Sequence, residues 1–263
     1  MSLNKIFTKK EPEKKLLLVL KEHAGRSSSS GRITVRHQGG GVKRFYRIVD
    51  FGQEKINLPG KVVAIEYDPY RTSFIILVEY RDGEKRYVLA PRGIKVGDEI
   101  ICSDDVELKS GNRTKLKHIP IGTEVFNIEI EPGKGGKLIR GAGAAAKVMA
   151  QEPPFVHLEM PSGESRKVSQ ECFATLGVVS NEKHAFEILG KAGRSRKMGI
   201  RPKVRGGAMT PASHPHGGGN GKTSIGLAYP KTPWGKPARG VRTRKRFWTD
   251  KFILKRRKRK DGQ

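Results

Sequence analysis

Cysteine, aromatic residues and long apolar runs are all scarce in this chain. Only two of its 263 residues are cysteines, Cys102 and Cys172, and they form no Cys-x-x-Cys pair, so neither a disulfide framework nor a zinc ribbon is expected. The N-terminal apolar run at 16–20 is too short for a membrane span or a signal peptide core. Aromatic residues make up 7% of the chain, which suits compact β-domains better than a large enzyme core. We therefore expect a reducing, intracellular compartment and no membrane partner.

Acidic side chains are scarce at both ends of the chain. Residues 191–263 carry 22 Lys and Arg against two acids, residues 1–47 carry 12 against three, and residues 48–190 carry 19 against 21. The net charge of +27 is therefore concentrated at the two ends. Such clustering is typical of contact with phosphate backbones, so nucleic acid is the leading class of partner, ahead of a membrane surface. Residues 191–263 also hold 12 Gly and six Pro, so we expect a polyanion to order them.

The middle of the chain predicts a mainly β fold. Short β-rich runs recur about every ten residues, at 32–36, 45–51, 61–67, 73–80, 85–90 and 99–102. Turn signals such as Asp82-Gly83 separate them, and this spacing predicts a small closed barrel. The pattern restarts after Pro120-Ile121-Gly122. A second, smaller barrel is predicted from runs at 124–131, 147–151, 155–159 and 165–168.

Helix signals are few. One helix is predicted at 13–22 and another at 181–189, where Gly190 would end it. Beyond Gly190 no sustained period is visible until 251–254. Together these features divide the chain into a basic N-terminal arm (1–35), a first barrel (36–121), a second barrel with a short helix (122–193) and an extended basic C-terminal region (194–263).

Two glycine-rich motifs resemble nucleotide-binding loops but lack the required context. His216–Thr223 has histidine where the phosphate-binding motif GxxxxGK(S/T) needs glycine, and neighbouring prolines exclude the flanking strand and helix. Gly141, Gly143 and Ala146 fit GxGxxA, but Pro153-Pro154 follows before a crossover helix could form. We interpret the first motif as backbone whose N–H groups are free to contact RNA phosphate, and the second as a tight turn between strands.

His214 and His216 are the residues that a metal site or acid–base chemistry would use. No Cys, Asp or Glu occurs between Glu187 and Asp250, and Ser213 precedes His214, so neither a metal site nor a catalytic triad is expected. We interpret both histidines as loop residues that form hydrogen bonds or stack on a base. An enzyme with His214 as general base stays the alternative, and it would need a carboxylate or metal brought into contact by the fold.

Cations alternate with aromatic rings at Arg36-His37, 43–47 and 246–248. This combination offers phosphate contacts beside stacking surfaces, which suits single-stranded and irregular RNA. The alternative is that the rings are only packed locally. The charge run Lys255–Lys260 would elsewhere be a solvated tail or a localisation signal, but here it ends an already basic region.

The predicted RNA-binding residues combine these cations with the histidines, the glycines beside them and a flexible basic loop at 133–137. They are Arg32, Arg36, His37, Lys43, Arg44, Arg47, Lys134, Lys137, Arg194, Arg196, Lys197, Arg201, Lys203, Arg205, His214, His216, Gly217, Gly218, Gly219, Lys222, Trp234, Arg242, Arg244, Lys245, Arg246, Lys255, Arg256 and Arg257.

Several ordered stretches carry a resemblance to a known family. They are GRITVRH at 31–37 with Gly39–Gly41, YRIVDF at 46–51, EYDP at 66–69, YVLAP at 87–91, PGKGG at 132–136, ATLG at 174–177, LGKAG at 189–193 and HPHGGG at 214–219. In this order, along nearly the whole chain, they resemble the L2 family of large-subunit ribosomal proteins in its bacterial and organellar form.

The resemblance implies a mainly β fold with an OB-like barrel followed by an SH3-like barrel, and basic arms that thread into 23S-type rRNA. The implied partners are rRNA, other large-subunit proteins, the small subunit through an intersubunit bridge, and tRNA indirectly, without homo-oligomerisation. It also implies residence in the cytoplasmic ribosome of a bacterium or in an organellar ribosome. The alternative is a nucleic-acid-binding protein outside the ribosome.

His214 matches the histidine that the family places near the peptidyl-transferase centre. Ser213 stands where many bacterial members have aspartate, so no partner for a charge relay precedes this histidine. The resemblance thus implies a structural protein, not an enzyme, with peptide-bond chemistry left to the RNA. No cofactor or metal site on the protein is expected, and structural Mg²⁺ would lie in the surrounding rRNA.

Overall fold

The computed structural model describes residues 7–9, 11–20, 25–104, 106–220, 224–241 and 243–257. Within these residues the fold is mainly β with curled sheets, which confirms the predicted class. The chain divides into two compact units. The first unit comprises Met1–Leu20, Arg44–Ile188 and Thr249–Gln263, and the second comprises Lys21–Lys43 and Leu189–Trp248. No helix in these described ranges is both long and apolar enough to cross a bilayer.

The first part of the first unit contains six short strands. They are β1 (Leu17–Leu18), β2 (Tyr46–Arg47), β3 (Gly60–Glu66), β4 (Ile75–Tyr80), β5 (Lys85–Leu89) and β6 (Glu99–Ile100). β1 pairs with β2, and the other four form an antiparallel sheet in the order β5-β4-β3-β6. β4 reads as a continuous apolar run because both faces are covered: Ile76 and Val78 pack into one buried cluster, while Ile75 and Leu77 pack into another.

The remainder of the first unit is built on a seven-stranded sheet and a small hairpin. Its strands are β7 (Arg113–Lys115), β8 (Glu124–Phe126), β9 (Ile128–Glu129), β10 (Gly136–Leu138), β11 (Ala146–Glu152), β12 (Phe155–Glu159), β13 (Ser165–Ser169), β14 (Phe173–Leu176) and β15 (Ile253–Lys255). The large sheet has the order β15-β13-β12-β11-β8-β14-β7, and β9 pairs with β10. Val125, Val148 and Leu158 lie fully buried in its core.

Three strands, β7, β10 and β14, lie where the sequence predicted neither a strand nor a helix. β7 reads Arg-Thr-Lys, and two of these polar residues, Arg113 and Thr114, are buried, so no apolar alternation marks the strand. The predicted boundary at 121/122 assigns β7 to the first barrel, whereas the strand pairs with β14 in the seven-stranded sheet. Conversely, the run predicted at 32–36 forms no strand, because the N–H groups of Thr34 and Val35 both donate to the carbonyl of Gly25.

The predicted helices also differ from those observed. The prediction at 13–22 was wrong: a 3-10 turn occupies Lys14–Leu16, and the next two residues pair with β2. The prediction at 181–189 corresponds to a 3-10 helix at Glu182–Phe186. Asn181 occupies the N-cap position but forms no side-chain capping hydrogen bond, and its side-chain amide donates instead to the carbonyl of Thr72 at 2.5 Å. The single α-helix of the described residues, α1 (Ala192–Lys197), follows the predicted stop at Gly190.

The second unit joins the two basic segments of the chain through backbone hydrogen bonds. The N–H of Gly39 donates to the carbonyl of Gly199 and the N–H of Val42 to that of Lys197, each at 3.0 Å. Gly41 requires its glycine, because its φ is 127° and a Cβ there would lie 3.1 Å from the nitrogen of Gly199. Sequence reasoning treated these segments as separate arms, and their pairing is visible only in the structure.

Glu66, at the end of β3, is a buried carboxyl group of the first sheet. It is 3% exposed, and its Oε2 accepts a hydrogen bond from the hydroxyl of Tyr87 at 2.7 Å. Burial raises the pKa of Glu66 above its usual value, while the hydrogen bond from Tyr87 and the charges of Lys9 and Arg47 act in the opposite direction. The folded chain therefore retains this proton to higher pH than the unfolded chain.

Because the folded state binds this proton more tightly, we expect Glu66 to reduce the free energy of unfolding as the pH rises above about 4. Glu66→Gln keeps an acceptor for Tyr87 but cannot ionise, so the variant should gain stability relative to the parent chain between about pH 4 and pH 7. Urea unfolding of both proteins across this range measures the difference. A difference that stays constant with pH would contradict the assignment.

Candidate nucleic-acid interface

One candidate site of the first unit is a cavity of about 500 Å³, which we call the cation–aromatic cavity. Its lining residues are Tyr46, Phe51, Tyr70, Arg71, Thr72, Arg140 and Gly141. They come from β2 and the segment after it, from the loop between β3 and β4, and from the loop between β10 and β11. The cavity therefore depends on loops of both sheets and on residues far apart in sequence.

Guanidinium groups lie against aromatic rings throughout this cavity. The guanidinium carbon of Arg71 lies 5.3 Å from the ring centroid of Tyr46 and 5.1 Å from that of Phe51, and Arg140 lies 4.4 Å from Phe51. At the edge, Arg44 lies 4.2 Å from the ring of Tyr70. Rings beside cations provide both stacking surfaces and phosphate donors, which is the chemistry that unpaired RNA bases require.

A buried aspartate fixes the side chain of Arg71 at the cavity wall. Asp68 is fully buried, and its Oδ2 accepts a hydrogen bond from Arg71 at 2.8 Å while its Oδ1 accepts one from the N–H of Tyr70 at 2.9 Å. Arg71 also donates to the hydroxyl of Tyr46 at 3.2 Å. Arg71 is thus held in place before any ligand arrives, which lowers the entropy lost on binding. Arg140, by contrast, is exposed.

Sequence reasoning missed Arg71 and Arg140, although it included Arg44 and the neighbouring Arg47. It searched for clustered cations, and neither missed arginine lies in a cluster. A signal was available for Arg71, since an aspartate three residues before an arginine favours a local ion pair that fixes the arginine. No local signal marks Arg140.

The other predicted cations of the first unit lie apart from the cavity or at its border. Arg47 is half-buried and donates to the carbonyl of Phe45 at 3.0 Å. Lys134 is exposed on the loop between β9 and β10, and Lys137 is exposed within β10. Lys134 pairs with Glu131, whose pKa this hydrogen bond lowers. Near the C-terminus the three predicted cations are exposed, and one of them pairs with Asp250 at 2.8 Å. They are Lys255, Arg256, which forms this pair, and Arg257.

Most predicted cations of the second unit are exposed side chains. They are Arg32, Arg36, Lys43, Arg194, Lys197, Arg201, Lys203, Arg205, Lys245 and Arg246, whereas Arg196 and Arg244 are half-buried. The guanidinium of Arg36 lies 5.0 Å from the ring of Trp234, and the ring of His37 contacts the carbonyl of Pro202 at 3.1 Å. Both contacts join the two basic segments. Lys222 and Arg242 lie outside the described residues.

His214 is buried within its own loop and accepts a backbone hydrogen bond there. It is 8% exposed, and its Nδ1 accepts a hydrogen bond from the N–H of His216 at 3.0 Å. The Nε2 of His216 in turn accepts from the N–H of Lys231 at 2.9 Å. A Cβ at Gly206 would lie 2.6 Å from the His214 ring, so only glycine fits against it. Both rings therefore stabilise the loop through the backbone hydrogen bonds that they accept. Contact of either histidine with RNA stays a prediction.

The glycines after His216 also form hydrogen bonds inside the loop. The N–H of Gly217 donates to the carbonyl of His214 at 2.8 Å, and the N–H of Gly218 donates to that of Met209 at 3.1 Å. The expectation that these N–H groups are free for phosphate is therefore wrong at these two positions. Across the ranges that the structure describes, no three His, Cys, Asp or Glu side chains group so that they could hold a metal ion.

Comparison with protein-family models gives two matches. Residues 13–102 match the ribosomal protein L2 RNA-binding N-terminal domain, and residues 109–235 match the ribosomal protein L2 C-terminal domain. The mainly β structure with two curled main sheets is consistent with an OB-like barrel followed by an SH3-like barrel. The chain belongs to the ribosomal protein L2 family, whose members are rRNA-binding structural proteins of the large ribosomal subunit.

Proposed function

We propose that this chain binds an irregular part of large-subunit rRNA in the cation–aromatic cavity, while its basic segments neutralise phosphates between neighbouring RNA helices. The rRNA so held would support the architecture of the peptidyl-transferase region, subunit association through an intersubunit bridge, and tRNA binding indirectly. The observation that carries the proposal is the position of Arg71 and Arg140 beside the aromatic rings of Tyr46 and Phe51.

The two arginines have different parts in this proposal. Arg71 is fixed by Asp68 and offers a preoriented donor at the cavity wall. Arg140 is exposed and lies over Phe51, so it can contact a phosphate or stack on a base without breaking an existing ion pair. Base stacking on such surfaces contributes roughly 1–3 kcal/mol per base.

The proposed role is structural and without catalysis by the protein. Each imidazole of the His214 loop accepts a backbone hydrogen bond through one ring nitrogen, so proton uptake there would break a contact that holds the loop. That arrangement favours a supporting role over general base catalysis. The peptide-bond chemistry is then left to the RNA that this loop would help to position.

We expect Arg140→Ala to lower the affinity for 23S-type rRNA about tenfold, because it removes a cation and its stacking surface while leaving the Asp68–Arg71 pair intact. Filter binding at fixed salt measures the change, with duplex DNA as competitor to separate an rRNA-specific protein from a general nucleic-acid binder. Arg81→Ala is the matched control, since Arg81 is an exposed cation in the β4–β5 turn that does not line the cavity. Equal losses for the two variants would contradict the proposal.

A further inference from the structure

Two asparagines of the first unit, Asn127 and Asn181, adopt the left-handed backbone conformation, with φ of 49° and 66°. This conformation is uncommon for residues other than glycine, although asparagine tolerates it better than most. Each asparagine donates a side-chain amide hydrogen bond to the carbonyl of a residue that lines the cation–aromatic cavity. The acceptors are Phe51 and Thr72, respectively. The same uncommon conformation thus serves the same cavity twice.

Asn127 is buried between β8 and β9 and holds the backbone of Phe51. Its Nδ2 donates to the carbonyl of Phe51 at 3.1 Å, and the N–H of Gly136 donates to the same carbonyl at 3.0 Å. A carbonyl only accepts hydrogen bonds, so the amide nitrogen has to face it. A Cβ at Gly136 would overlap the Oδ1 of Asn127, so only glycine leaves room for the amide.

The backbone of Asn127 also holds the residue before Arg140. Its N–H donates to the carbonyl of Ile139 at 2.9 Å. Ile139 has a φ of 53°, and a β-branched residue keeps this conformation only where its surroundings enforce it. The side chains of Ile139 and Phe51 pack against the same buried cluster. Asn127 therefore holds both chain segments whose side chains, Phe51 and Arg140, meet 4.4 Å apart in the cavity.

Asn127 is itself fixed to a buried ion pair. Its carbonyl accepts a hydrogen bond from the Nη1 of Arg113 at 2.7 Å. The Nη2 of Arg113 lies 3.1 Å from the Oε1 of Glu129, and both side chains are buried. A residue held in this way loses little further freedom when RNA binds nearby.

Asn181 acts on the loop between β3 and β4. It is half-buried, directly before the 3-10 helix Glu182–Phe186, and its Nδ2 donates to the carbonyl of Thr72 at 2.5 Å. The hydroxyl of Thr72 accepts a hydrogen bond from the N–H of Ala142 at 3.1 Å. Thr72 thus connects Asn181 to the β10–β11 loop, two residues beyond Arg140.

We propose that Asn127 and Asn181 are positioning residues of the cation–aromatic cavity, whose amides hold its arginines and rings in the RNA-binding arrangement before RNA arrives. Both act through the residues that they hold, not through contact with the RNA. Such preorganisation raises affinity, because less freedom is lost on binding. This inference rests on the proposed rRNA-binding function and names residues that set the geometry of its site.

Replacement by glycine isolates the two amides, because glycine adopts positive φ without strain and keeps the backbone hydrogen bonds. We expect Asn127→Gly and Asn181→Gly each to lower the affinity for 23S-type rRNA about fivefold, measured by filter binding at fixed salt. Asn57→Gly is the matched control. Asn57 is exposed with a φ of 61°, and within the described ranges its amide donates to none of the lining residues. The affinity of this control should stay within about twofold of the parent chain.

A double-mutant cycle with Arg140→Ala separates positioning from a general loss of stability. Both asparagines hold the loop that carries Arg140, so in the Arg140→Ala background each glycine substitution should lower affinity only about twofold or less. A loss caused by partial unfolding would be the same in both backgrounds. Circular dichroism at the assay temperature checks the fold. Asn181→Gly changes only a half-buried residue, so it decides the test even where Asn127→Gly does not fold.

Three results would overturn the inference. They are rRNA affinities of the glycine variants within about twofold of the parent chain, losses that Asn57→Gly matches, and losses of equal size with and without Arg140. If Arg140→Ala lowers rRNA affinity more than Arg81→Ala while one of these is observed, the positioning role fails and the proposed rRNA-binding function stands. If Arg140→Ala and Arg81→Ala lower affinity equally, the proposed function itself fails, and the positioning role fails with it.

Discussion

We expect rRNA affinity to fall by roughly two decades at about 200 mM salt when five exposed cations of the second unit are replaced by glutamine. They are Arg194, Lys197, Arg201, Lys203 and Arg205. No ion pair to an acid holds any of them in the ranges that the structure describes, so their charges are available to phosphate. Each phosphate contact contributes about 0.7 to the slope of log affinity against log salt for single strands. The slope should therefore decrease in magnitude by roughly 3.5.

The fold of the second unit should survive these replacements. The N–H of Val42 donates to the carbonyl of Lys197, and the N–H of Arg201 donates to the carbonyl of His37, each at 3.0 Å. These contacts use backbone atoms, so the glutamine side chains leave them in place. The measurement is filter binding to rRNA between about 50 and 200 mM salt, with circular dichroism to confirm the fold.

A charge-matched control separates position from net charge. It replaces five exposed cations of the first unit by glutamine. They are Lys61, Arg81, Lys95, Lys109 and Lys147. This control has the same net charge as the test variant, so a general electrostatic effect would lower affinity equally in both. Equal losses would mean that the second unit has no special part in RNA contact.

Glu129→Ala should lower the free energy of unfolding by about 3–5 kcal/mol, because it leaves Arg113 as a buried charge without its carboxylate. Arg113 and Glu129 are 0% and 2% exposed, and their Nη2 and Oε1 atoms lie 3.1 Å apart. The Oε2 of Glu129 also accepts from the N–H groups of Gly133 and Phe173, each at 3.1 Å. The substitution thus removes three hydrogen bonds from a buried site.

Urea unfolding monitored by fluorescence measures this loss. Glu124→Ala is the control, since Glu124 is an exposed carboxylate on β8 and its removal should change stability by less than about 0.5 kcal/mol. Replacing both partners, as Arg113→Met with Glu129→Leu, should restore much of the stability because no charge is then buried alone. A loss below about 1 kcal/mol for Glu129→Ala would contradict a structural role of the pair.

The same substitution has a consequence for the basic loop at 133–137. The Oε2 of Glu129 accepts a hydrogen bond from the N–H of Gly133, which is followed by Lys134 on the loop and by Lys137 in β10. In folded Glu129→Ala protein the segment that carries these two lysines should therefore be more mobile. This loop was predicted as flexible from its glycines, and the structure attaches its first turn to a buried ion pair.

The strands that sequence reasoning found are those with a strong local pattern. β3, β4 and β5 and the meander β11, β12 and β13 overlap predicted runs almost completely, because their apolar residues repeat within a few positions and turn residues end them. β7 was missed because buried Arg113 and Thr114 give it no apolar signal. The helix predicted at 13–22 was wrong because Leu17 and Leu18 pair with β2, a distant partner that outweighs local preference.

The residues of the candidate site also divide into those that a local sequence pattern reveals and those that only the fold brings together. Clustered cations such as Arg44 and Arg47 are visible in the sequence, since neighbouring charges need no fold to be recognised. Arg71 and Arg140 become a pair only when the β3–β4 and β10–β11 loops line one cavity. His214 was interpreted as a loop residue for RNA, and its burial against Gly206 depends on packing that no local pattern encodes.

The sequence by itself determined the charge distribution, the mainly β class and the family, because each rests on composition, on short repeats or on ordered motifs along the chain. Only the tertiary structure decided that residues 21–43 and 189–248 form one unit and that Glu66 and Arg47 share a cavity. The pairing of Arg113 with the carboxylate of Glu129 was also visible only in the tertiary structure. These features come from contacts between residues far apart in the chain, and local patterns carry no information about which distant backbone or side chain will be the partner.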